Sequence, residues 1–479
     1  MLLKVPYDRC KNMNRLTVSK LIVFAGFLVG LFGADPPSSL PTVATYYVAT
    51  TGSDGNPGTI NAPWRTIQHA VDIVNAGDTV YIRAGTYNER VQAKYGNGGG
   101  SNHSDITYRS YPGETVILDG TGIAISYGEG LFHIWSSNFI QVSGLRVQNS
   151  NGAGIYVGSA DNVVVVNNHT YNTVKSGIGI WDSNQIIVNG NDIELACNPH
   201  PGYGQSEEFI SIAGSSNVEV MNNRAHDGPQ GLPVERAGGE GINVKDGSSF
   251  VKIHNNTVYN LDKLGFGLDA WTSGVHDVEY FSNIAHNVYY GFIISSEQGG
   301  PVANVKVYNN IAYSNTRAGF SIPWWGGTQD GLKTNIQFIN NTSFDNGSGF
   351  TITSPQNENV VFRNNILSQN DINISIITDA VSQTTIDHNL FYGDGDVMGT
   401  NVVLGDPKFR NAGIGDFYLL SDSPAVDAGS PSGAPGNDFV GRKRPQAAGF
   451  DIGAYEYQAP LVLNCQSISC FFLPLVRKN

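Results

Sequence analysis

An asparagine recurs through the middle of the chain, each time after a short strand rich in β-branched residues. The intervals between successive copies are 23, 32, 33, 27, 27, 31, 24 and 24 residues, so the shortest interval approximates one repeat and the longer ones contain insertions. A repeat of this length cannot bury an apolar core by itself, and such repeats therefore stack on one another. We interpret the repeated asparagines as a turn-forming internal ladder and not as a ligand site. They are Asn168, Asn191, Asn223, Asn256, Asn283, Asn310, Asn341, Asn365 and Asn389.

A second set of strands begins with a glycine. Apolar and variable residues alternate along these strands, which indicates that one face of each strand is buried. Several strands per repeat, stacked at about 4.8 Å per coil, predict an all-β solenoid. The glycine-led strands are residues 154–157, 177–180, 241–244, 265–268, 291–294, 319–322 and 349–352.

The repeat resembles that of the right-handed parallel β-helix proteins, which include pectate lyases, polygalacturonases and many secreted carbohydrate-active proteins. The resemblance implies a single-stranded, right-handed parallel β-helix over residues 104–396. At about 25 residues per coil, this segment would hold close to twelve coils.

Two segments flank the predicted solenoid. Residues 44–103 resemble the N-terminal cap and first coils of secreted β-helix proteins, and they contain apolar residues at helical spacing before Gly77. Residues 397–457 resemble the small C-terminal module that often closes such solenoids. We therefore expect a capping helix at one end and a capping module at the other. The helix-spaced apolar residues are Ile67, Ala70, Val71 and Val74.

The N-terminal residues have the order of a secretory signal. Residues 21–32 are apolar, Arg15 and Lys20 precede them, and small residues follow. Residues 458–479 contain an apolar run that ends in a basic pair, which indicates either a sorting or surface-attachment tail or a last strand packed on the domain. We therefore expect a signal peptide over residues 1–34 and a secreted or cell-surface protein.

The charge balance limits the partners of this chain. It carries 28 lysine and arginine residues against 41 aspartate and glutamate residues, which argues against nucleic acid. With the β-helix resemblance, we expect a monomer that takes a polysaccharide as substrate or ligand. Because charged residues make up only 14% of the chain, a dense group of them is informative.

Equivalent positions of successive coils lie one above another in a β-helix, so aligning the repeats predicts columns of neighbouring side chains. His226 and His286 fall in a column that also contains Tyr259 and Tyr313. A stack of rings accounts for both histidines, and we therefore assign them no catalytic role.

Another column, just past the glycine-led strands, contains Trp181, Ala213, Lys245, Asp269 and Ser295 in successive coils. Neighbouring columns add carboxylates, so one face of four adjacent coils is predicted to concentrate polar side chains. The predicted group is Glu208, Glu240, Asn243, Lys245, Asp246, Asp269, Trp271 and Glu297.

Cations and tryptophans flank this group. Lys263 and Arg317 each stand two residues before the glycine that opens a strand, which places them along one edge of the same face. Exposed tryptophans beside carboxylates favour a sugar-binding cleft. The residues expected to contact substrate are Asn243, Lys263, Trp271, Glu297, Arg317, Trp324 and Trp325.

Residues 240–247 resemble the stretch of family 9 pectate-lyase-type β-helix enzymes that carries a lysine base beside acidic calcium ligands. The resemblance implies that Lys245 removes the C5 proton of a uronate while a cation stabilises the developing charge. Lys263 or Arg317 would pair with the uronate carboxylate. The stacking of the coils predicts a calcium site at Glu208, Glu240, Asp246 and Asp269.

Two other functions remain open. A glycoside hydrolase would use two carboxyl groups among Asp246, Asp269, Glu240 and Glu297, about 5 Å apart for retention or about 6.5–9.5 Å apart for inversion. A non-catalytic adhesin or carbohydrate-binding solenoid would use the same groove to hold sugar or metal. In a purely structural role, Lys245 would form a salt bridge to Asp269 or Glu240. We rank the lyase first, the hydrolase second and the binder third.

Overall fold

Three parallel β-sheets wrap around one apolar core in the computed structural model of this chain. Two sheets have 13 strands and one has 11, and almost every strand pairs in parallel with the equivalent strand of the next coil. The proposed signal peptide and all of the predicted tail after Gln458 lie outside the described residues. The structure describes residues 43–101, 104–126, 128–199, 208–229, 239–326 and 329–458.

The strands of each sheet follow in chain order. The first sheet consists of Thr45–Val48, Thr79–Ile82, Ile106–Ser110, Ile140–Ser143, Asp161–Val166, Asn184–Asn189, Ser216–Met221, Ser249–His254, Val275–Phe281, Val302–Tyr308, Lys333–Ile339, Asn357–Arg363 and Thr384–Asp387. The second sheet consists of Val91–Lys94, Gly130–Trp135, Ala153–Gly158, Ile178–Trp181, Glu208–Ala213, Glu240–Lys245, Leu264–Ala270, Tyr290–Ser296, Ala318–Ile322, Ser348–Ile352 and Ile372–Ile376. The third sheet consists of Gly85–Tyr87, Val116–Asp119, Leu145–Ser150, His169–Thr173, Asp192–Glu194, Arg224–His226, Thr257–Tyr259, Ile284–His286, Ile311–Tyr313, Thr342–Phe344, Ile366–Ser368, Leu390–Tyr392 and Val403–Leu404.

The predicted N-terminal helix spans Ile67–Ile73. Thr66 caps it, because the side-chain oxygen of Thr66 accepts a hydrogen bond from the backbone N–H of His69 at 3.2 Å. Ala70 and Val71 are buried in the main core, as their helical spacing predicts. No helix among the described residues is long and apolar enough to cross a membrane.

The repeated asparagines form an internal ladder, as predicted. The backbone N–H and the side-chain amide of Asn256 both donate to Oδ1 of Asn283, each at 3.0 Å. The same amide also donates to the backbone oxygen of Val220 at 2.9 Å. This arrangement repeats along the whole series from Asn168 to Asn389, and all of these side chains are buried. The ladder therefore satisfies backbone groups at a corner that has no regular strand pairing.

Asn283→Ala should lower the free energy of unfolding by about 3 kcal/mol, because two buried donors of Asn256 lose their acceptor. Denaturant unfolding of the variant and the wild type measures this difference. Gln337→Ala, on an outward-facing position of a first-sheet strand, serves as the control and should change stability by less than about 0.5 kcal/mol. Equal losses in the two variants would contradict a ladder-specific role.

The two histidines lie in a stack of rings on the outside of the third sheet, which confirms their structural interpretation. His226 and Tyr259 have ring centroids 4.9 Å apart, Tyr259 and His286 are 5.1 Å apart, and Tyr313 continues the stack at 4.7 Å. Burial opposes protonation of His226, but hydrogen bonds to neighbouring carboxylates raise the pKa of its imidazole.

The C-terminal module packs along the side of the solenoid. Phe417 contacts the rings of Tyr313 and Phe344 on the third sheet at 5.3 and 5.5 Å. Met398 and Val402, in the first residues of the same segment, pack against the main core, so residues 397–457 contact the core of the solenoid as well as its side. The third sheet leaves an apolar outer face on its last coils, and this face is what the module covers. The short helix Thr378–Val381, whose Ala380 is buried in the core, also covers its end.

Candidate functional site

The backbone register confirms the predicted column of Lys245. In parallel pairing, Trp181 lies beside Ala213, Ala213 beside Lys245, Lys245 beside Asp269, and Asp269 beside Ser295. All are on the outer face of the second sheet, because the alternate residues of each strand point into the core. The lysine and the aspartate are therefore direct neighbours across two coils.

A cleft of about 470 Å³ opens beside this column on the second sheet. Its walls come from three successive strands and the turns around them. The cleft combines four titratable carboxyl groups, a lysine and three aromatic rings. Its lining residues are Glu240, Asn243, Asp262, Lys263, Leu264, Asp269, Tyr289, Tyr290, Ile293, Ser295, Glu297 and Trp325.

Lys245 stands at the edge of the cleft and forms an ion pair with Glu208 of the preceding coil. The Glu208 side chain is only 4% exposed. One carboxylate oxygen of Glu208, Oε1, bonds the lysine, and the other, Oε2, has no hydrogen-bond partner in the described part of the chain. The ammonium group also lies 5.7 Å from the centre of the Trp181 ring. Among the described residues, the ion-pair partner of Lys245 is Glu208, whereas the structural alternative proposes Asp269 or Glu240.

Glu240 lies directly beside Glu208 in the sheet register. Its carboxylate accepts a hydrogen bond of 2.6 Å from the side-chain amide of Asn243 and lies 4.0 Å from the ammonium group of Lys263. Burial, followed by the charge of Glu208, raises the pKa of Glu240 well above its ordinary value. Asn243 is buried, and its Oδ1 has no hydrogen-bond partner among the described residues.

Asp269 is the second carboxyl group that titrates near neutral pH. Burial raises its pKa to about 7, and the nearby charge of Glu297 acts in the same direction. The hydroxyl of Ser295 donates to Asp269 at 3.1 Å and partly offsets this effect. Burial and the charge of Glu240 also raise the pKa of Glu297. The cleft therefore holds carboxyl groups that can carry a proton at neutral pH.

Asp269→Asn should stabilise the protein increasingly as the pH rises from about 4 to about 7. The folded state holds the proton of Asp269 up to about pH 7, whereas an unfolded aspartate releases it near pH 4. The wild type therefore loses stability across this window, and the asparagine variant does not. Melting temperatures at several pH values measure the effect, and Ser295→Ala, which keeps the carboxyl group, should retain the wild-type trend. A difference in melting temperature between Asp269→Asn and the wild type that stays constant across this pH range would contradict the prediction.

Besides Lys245 and Glu208 at its edge, four of the residues predicted for the site lie outside the lining of the cleft. Asp246 follows the strand in a turn with φ of 37°, and its carboxylate accepts backbone N–H groups of Thr272 and Ser273 at 3.1 and 2.8 Å. Trp271 and Trp324 are 45% and 50% exposed and do not line the cleft. The fourth residue is Arg317.

Arg317 contacts the cleft through two tyrosines: its backbone N–H donates to the backbone oxygen of Tyr289 at 2.8 Å, and its side chain is hydrogen-bonded to Tyr290. The hydrogen bond with Tyr290 raises the pKa of the guanidinium group. Of the two cations predicted along this edge, Lys263 lines the cleft and Arg317 does not.

The predicted calcium ligands do not form one group of carboxylates. Among the described residues, no three histidine, cysteine, aspartate or glutamate side chains lie close enough together to hold a metal ion. The turn conformation of Asp246 engages its carboxylate in backbone hydrogen bonds. Oε2 of Glu208 and Oδ1 of Asn243 are buried without partners in the described region, and both residues adjoin Glu240. These oxygen atoms fit a hard cation better than the predicted set does.

One protein-family model matches most of this chain. The model of the family described as "Pel9A-like, right handed beta helix region" matches residues 46–365. The chain belongs to this family. Together with the three parallel sheets, this membership confirms the predicted right-handed parallel β-helix.

Relatives of this Pel9A-like chain include an uncharacterized protein and a pectate lyase. The uncharacterized protein YwoF of Bacillus subtilis is 28% identical over 435 residues, which cover 79% of this chain and 91% of that protein. Pectate lyase PEL9 of Emericella nidulans is 25% identical over 337 residues, covering 67% of this chain and 77% of that enzyme.

Two solved structures resemble the Pel9A-like solenoid in fold. Pectate lyase Pel9A has a TM-score of 0.52 at 16% identity, with 88% of this chain and 98% of that chain covered. The complex of XylC with xylose has a TM-score of 0.60 at 14% identity, with 86% and 99% covered. At these identities the likeness concerns the fold alone.

Sequence reasoning missed two tyrosines that form a wall of this Pel9A-like cleft. Tyr290 occupies the position before a glycine-led strand, beside Leu264 in the register, and its ring contacts Trp325 edge-on at 5.7 Å. Tyr289 packs against Tyr290 at 5.1 Å. Tyr290 stands in the column before the glycine-led strands, which also contains Glu208 and Glu240, and this position was the available signal in the sequence.

Proposed function

We propose that this protein is a polysaccharide lyase that cleaves a uronic-acid-containing glycan by β-elimination, with Lys245 as the base. The observation that carries the proposal is the adjacent placement of Lys245 and Asp269 at one cleft in a chain of the Pel9A-like family. A lysine and a protonated carboxyl group are the base and the acid that elimination requires.

The proposed reaction has four linked changes. Lys245, the ion-pair partner of Glu208, first gives its ammonium proton to solvent water. Nζ of Lys245 then removes the C5 proton, and the electron pair of the C5–H bond forms a double bond between C4 and C5. The bond between C4 and the glycosidic oxygen breaks, and the leaving oxygen takes a proton from the carboxyl group of Asp269. The products are an unsaturated uronate end and a new reducing end.

The acidity of C5 depends on neutralising the substrate carboxylate. Lys263 supplies a cation in the cleft for this purpose. We also propose that Glu208, Glu240 and Asn243 hold Ca²⁺, which would supply further positive charge beside the uronate. The unpartnered oxygens of Glu208 and Asn243 support this smaller set of ligands.

Calcium should raise the melting temperature in proportion to the free energy of binding, which is about 2.7 kcal/mol at a concentration of 100 times Kd. Asn243→Leu combined with Glu240→Gln should remove this response, because two proposed oxygen ligands are lost or neutralised. Asp246→Asn should keep it, since Asp246 is engaged in its turn. Differential scanning calorimetry with calcium and with chelator measures the response, and a wild type that ignores calcium would end the metal proposal.

The reaction class can be tested by product analysis. The purified protein is incubated with uronic-acid-containing and neutral glycans, with and without chelator. Each cleavage by a lyase creates one unsaturated end, which absorbs in the ultraviolet, and one new reducing end. Reducing ends without absorbance would overturn the lyase and support a hydrolase.

The raised pKa values favour a glycoside hydrolase as the second candidate. The pKa of Asp269 is raised to about 7, as the acid of such a pair requires, and Glu297 supplies a second carboxyl group in the same cleft. In this alternative Lys245 only balances the charge of Glu208. Asp269→Asn would then abolish the release of reducing ends from a neutral glycan.

We further propose that the protein is exported through the segment of residues 1–34. The apolar stretch of residues 21–32 behind two basic residues supports this. N-terminal sequencing of protein recovered from culture medium tests it, and a product that still carries residues 21–32 would contradict it.

A further inference from the structure

Three aromatic residues continue the outer face of the second sheet from the cleft toward the N-terminal coils. We call Trp135, Tyr156 and Trp181 the aromatic strip. In the backbone register, Lys94 lies beside Trp135, Trp135 beside Gly158, and Gly158 beside Trp181. The column that contains Lys245 thus runs unbroken through the strip, and its aromatic members lie two and four strands away from that lysine.

Small residues between the rings allow them to lie against the sheet. A Cβ atom on Gly158 would come within 2.6 Å of the Trp135 ring, and one on Gly179 would come within 3.1 Å of the Tyr156 ring. The Trp135 and Tyr156 rings are nearly parallel, at 16°, with centroids 6.4 Å apart. The glycines therefore leave room for a continuous aromatic surface. Tyr156 is buried, whereas Trp135 and Trp181 are partly exposed.

The strip also makes contact with the proposed site. Only Ala213 separates Trp181 from Lys245 in the column, and the ammonium group of Lys245 lies 5.7 Å from the Trp181 ring. A ligand that fills the cleft and extends along the solenoid axis toward the N-terminal coils therefore meets Trp181 first.

The far end of the strip carries net positive charge. Arg90 and Lys94 both bind Glu129, at 2.9 and 3.1 Å. Burial opposes ionisation of Glu129, but the hydrogen bonds from Lys94 and Arg90 lower its pKa to about 2. Two cations therefore share one carboxylate at this end, whereas carboxyl groups outnumber lysines in the cleft. An acidic polymer that extends from the cleft therefore meets an attractive charge at the far end of the strip.

We propose that the aromatic strip binds the continuation of an acidic polysaccharide, whose sugar rings pack on Trp181 and Trp135 and whose carboxylates pair with Arg90 and Lys94. Strands are spaced by about 4.8 Å, which is comparable to one sugar unit, so the strip extends about 20 Å beyond Lys245. This inference rests on the proposed polysaccharide function, and it adds that the protein recognises long acidic chains in their interior.

The test compares binding of oligogalacturonates of two lengths, a disaccharide and an octasaccharide, by isothermal titration calorimetry. Trp135→Ala should reduce the ratio of octasaccharide to disaccharide affinity about tenfold, the typical worth of one aromatic contact. Lys94→Gln should reduce the same ratio and weaken its dependence on salt. Phe250→Ala, which removes a ring 57% exposed on the first sheet, is the matched control and should leave the ratio unchanged. Melting curves verify that each variant is folded.

An unchanged ratio in a folded Trp135→Ala variant would overturn the inference, as would an equal loss in Phe250→Ala. Tighter binding of a neutral xylan oligomer than of the acidic octasaccharide would also overturn it. The titrations are made in the Lys245→Arg background, in which the proposed elimination is lost, so binding is measured without turnover. Length-dependent binding through the strip, with no elimination by the wild type, would support the strip and refute the lyase. A protein that eliminates but shows no preference for length would do the reverse.

Discussion

Lys245→Arg should lower the rate of elimination by about a thousandfold, the range expected for loss of a general base. The guanidinium group keeps the positive charge and can keep the ion pair to the buried Glu208, but it does not deprotonate near neutral pH. The variant therefore separates the role of Lys245 as a base from its role as a partner of Glu208. Initial rates of absorbance increase with a uronic-acid-containing glycan measure the loss.

Two controls accompany this variant. Its melting temperature should stay close to that of the wild type, because the charge of the ion pair is conserved. Lys306→Arg, at a half-exposed lysine 3.5 Å from Glu279 on the first sheet, should retain full activity. If Lys245→Arg retains a tenth of the wild-type rate, Lys245 is structural, and the carboxyl pair of a hydrolase becomes the leading mechanism.

Lys333→Met should lower the free energy of unfolding by about 3–5 kcal/mol, because it leaves a buried carboxylate without its partner. Lys333 is fully buried at the start of a first-sheet strand and forms an ion pair with Asp330. It also donates to the backbone oxygen of Gly331 at 2.9 Å and to the hydroxyl of Ser354 at 3.1 Å. Urea unfolding measures the change.

A double variant distinguishes the ion pair from the packing of the lysine stem. Lys333→Met with Asp330→Leu should recover most of the lost stability, because neither buried charge then lacks a partner. Lys306→Met is the surface control, since its ion pair with Glu279 is worth less than about 1 kcal/mol. A double variant as unstable as the single one would show that packing, and not the charge, accounts for the loss.

The ion pair between Lys333 and Asp330 lies next to the connection that carries Trp325, which forms part of one wall of the cleft. Gly331 donates its backbone N–H to the hydroxyl of Ser296 at 3.1 Å, next to Glu297 of the cleft. Trp325, from the same connection, contacts Tyr290. Loss of Lys333 should therefore raise KM as well as lower the free energy of unfolding. Partial unfolding at the assay temperature would instead lower the apparent kcat and leave the KM of the folded molecules unchanged.

Much of the fold and part of the site were predictable from periodicity. The asparagine spacing predicted the internal ladder, and the glycine-led strands predicted the second sheet. The alignment of repeats also predicted that Lys245 and Asp269 are neighbours, because parallel strands in a solenoid pair residues of equal rank. The placement of the C-terminal module was not predictable, since it depends on which outer face of the last coils remains apolar.

Periodicity in the sequence was enough to predict which residue of one coil lies beside which residue of the next. The contacts between different columns of side chains depend on the folded molecule. Asp246 is one residue from Lys245, but a positive φ turns it into a backbone-capping role, whereas Glu208 is 37 residues away and becomes the partner of the lysine. Burial then sets the pKa of Asp269 to about 7. Periodicity specifies strand register, because a shift of one residue would expose the core, but it does not specify turn conformation or depth of burial, which depend on all the surrounding coils.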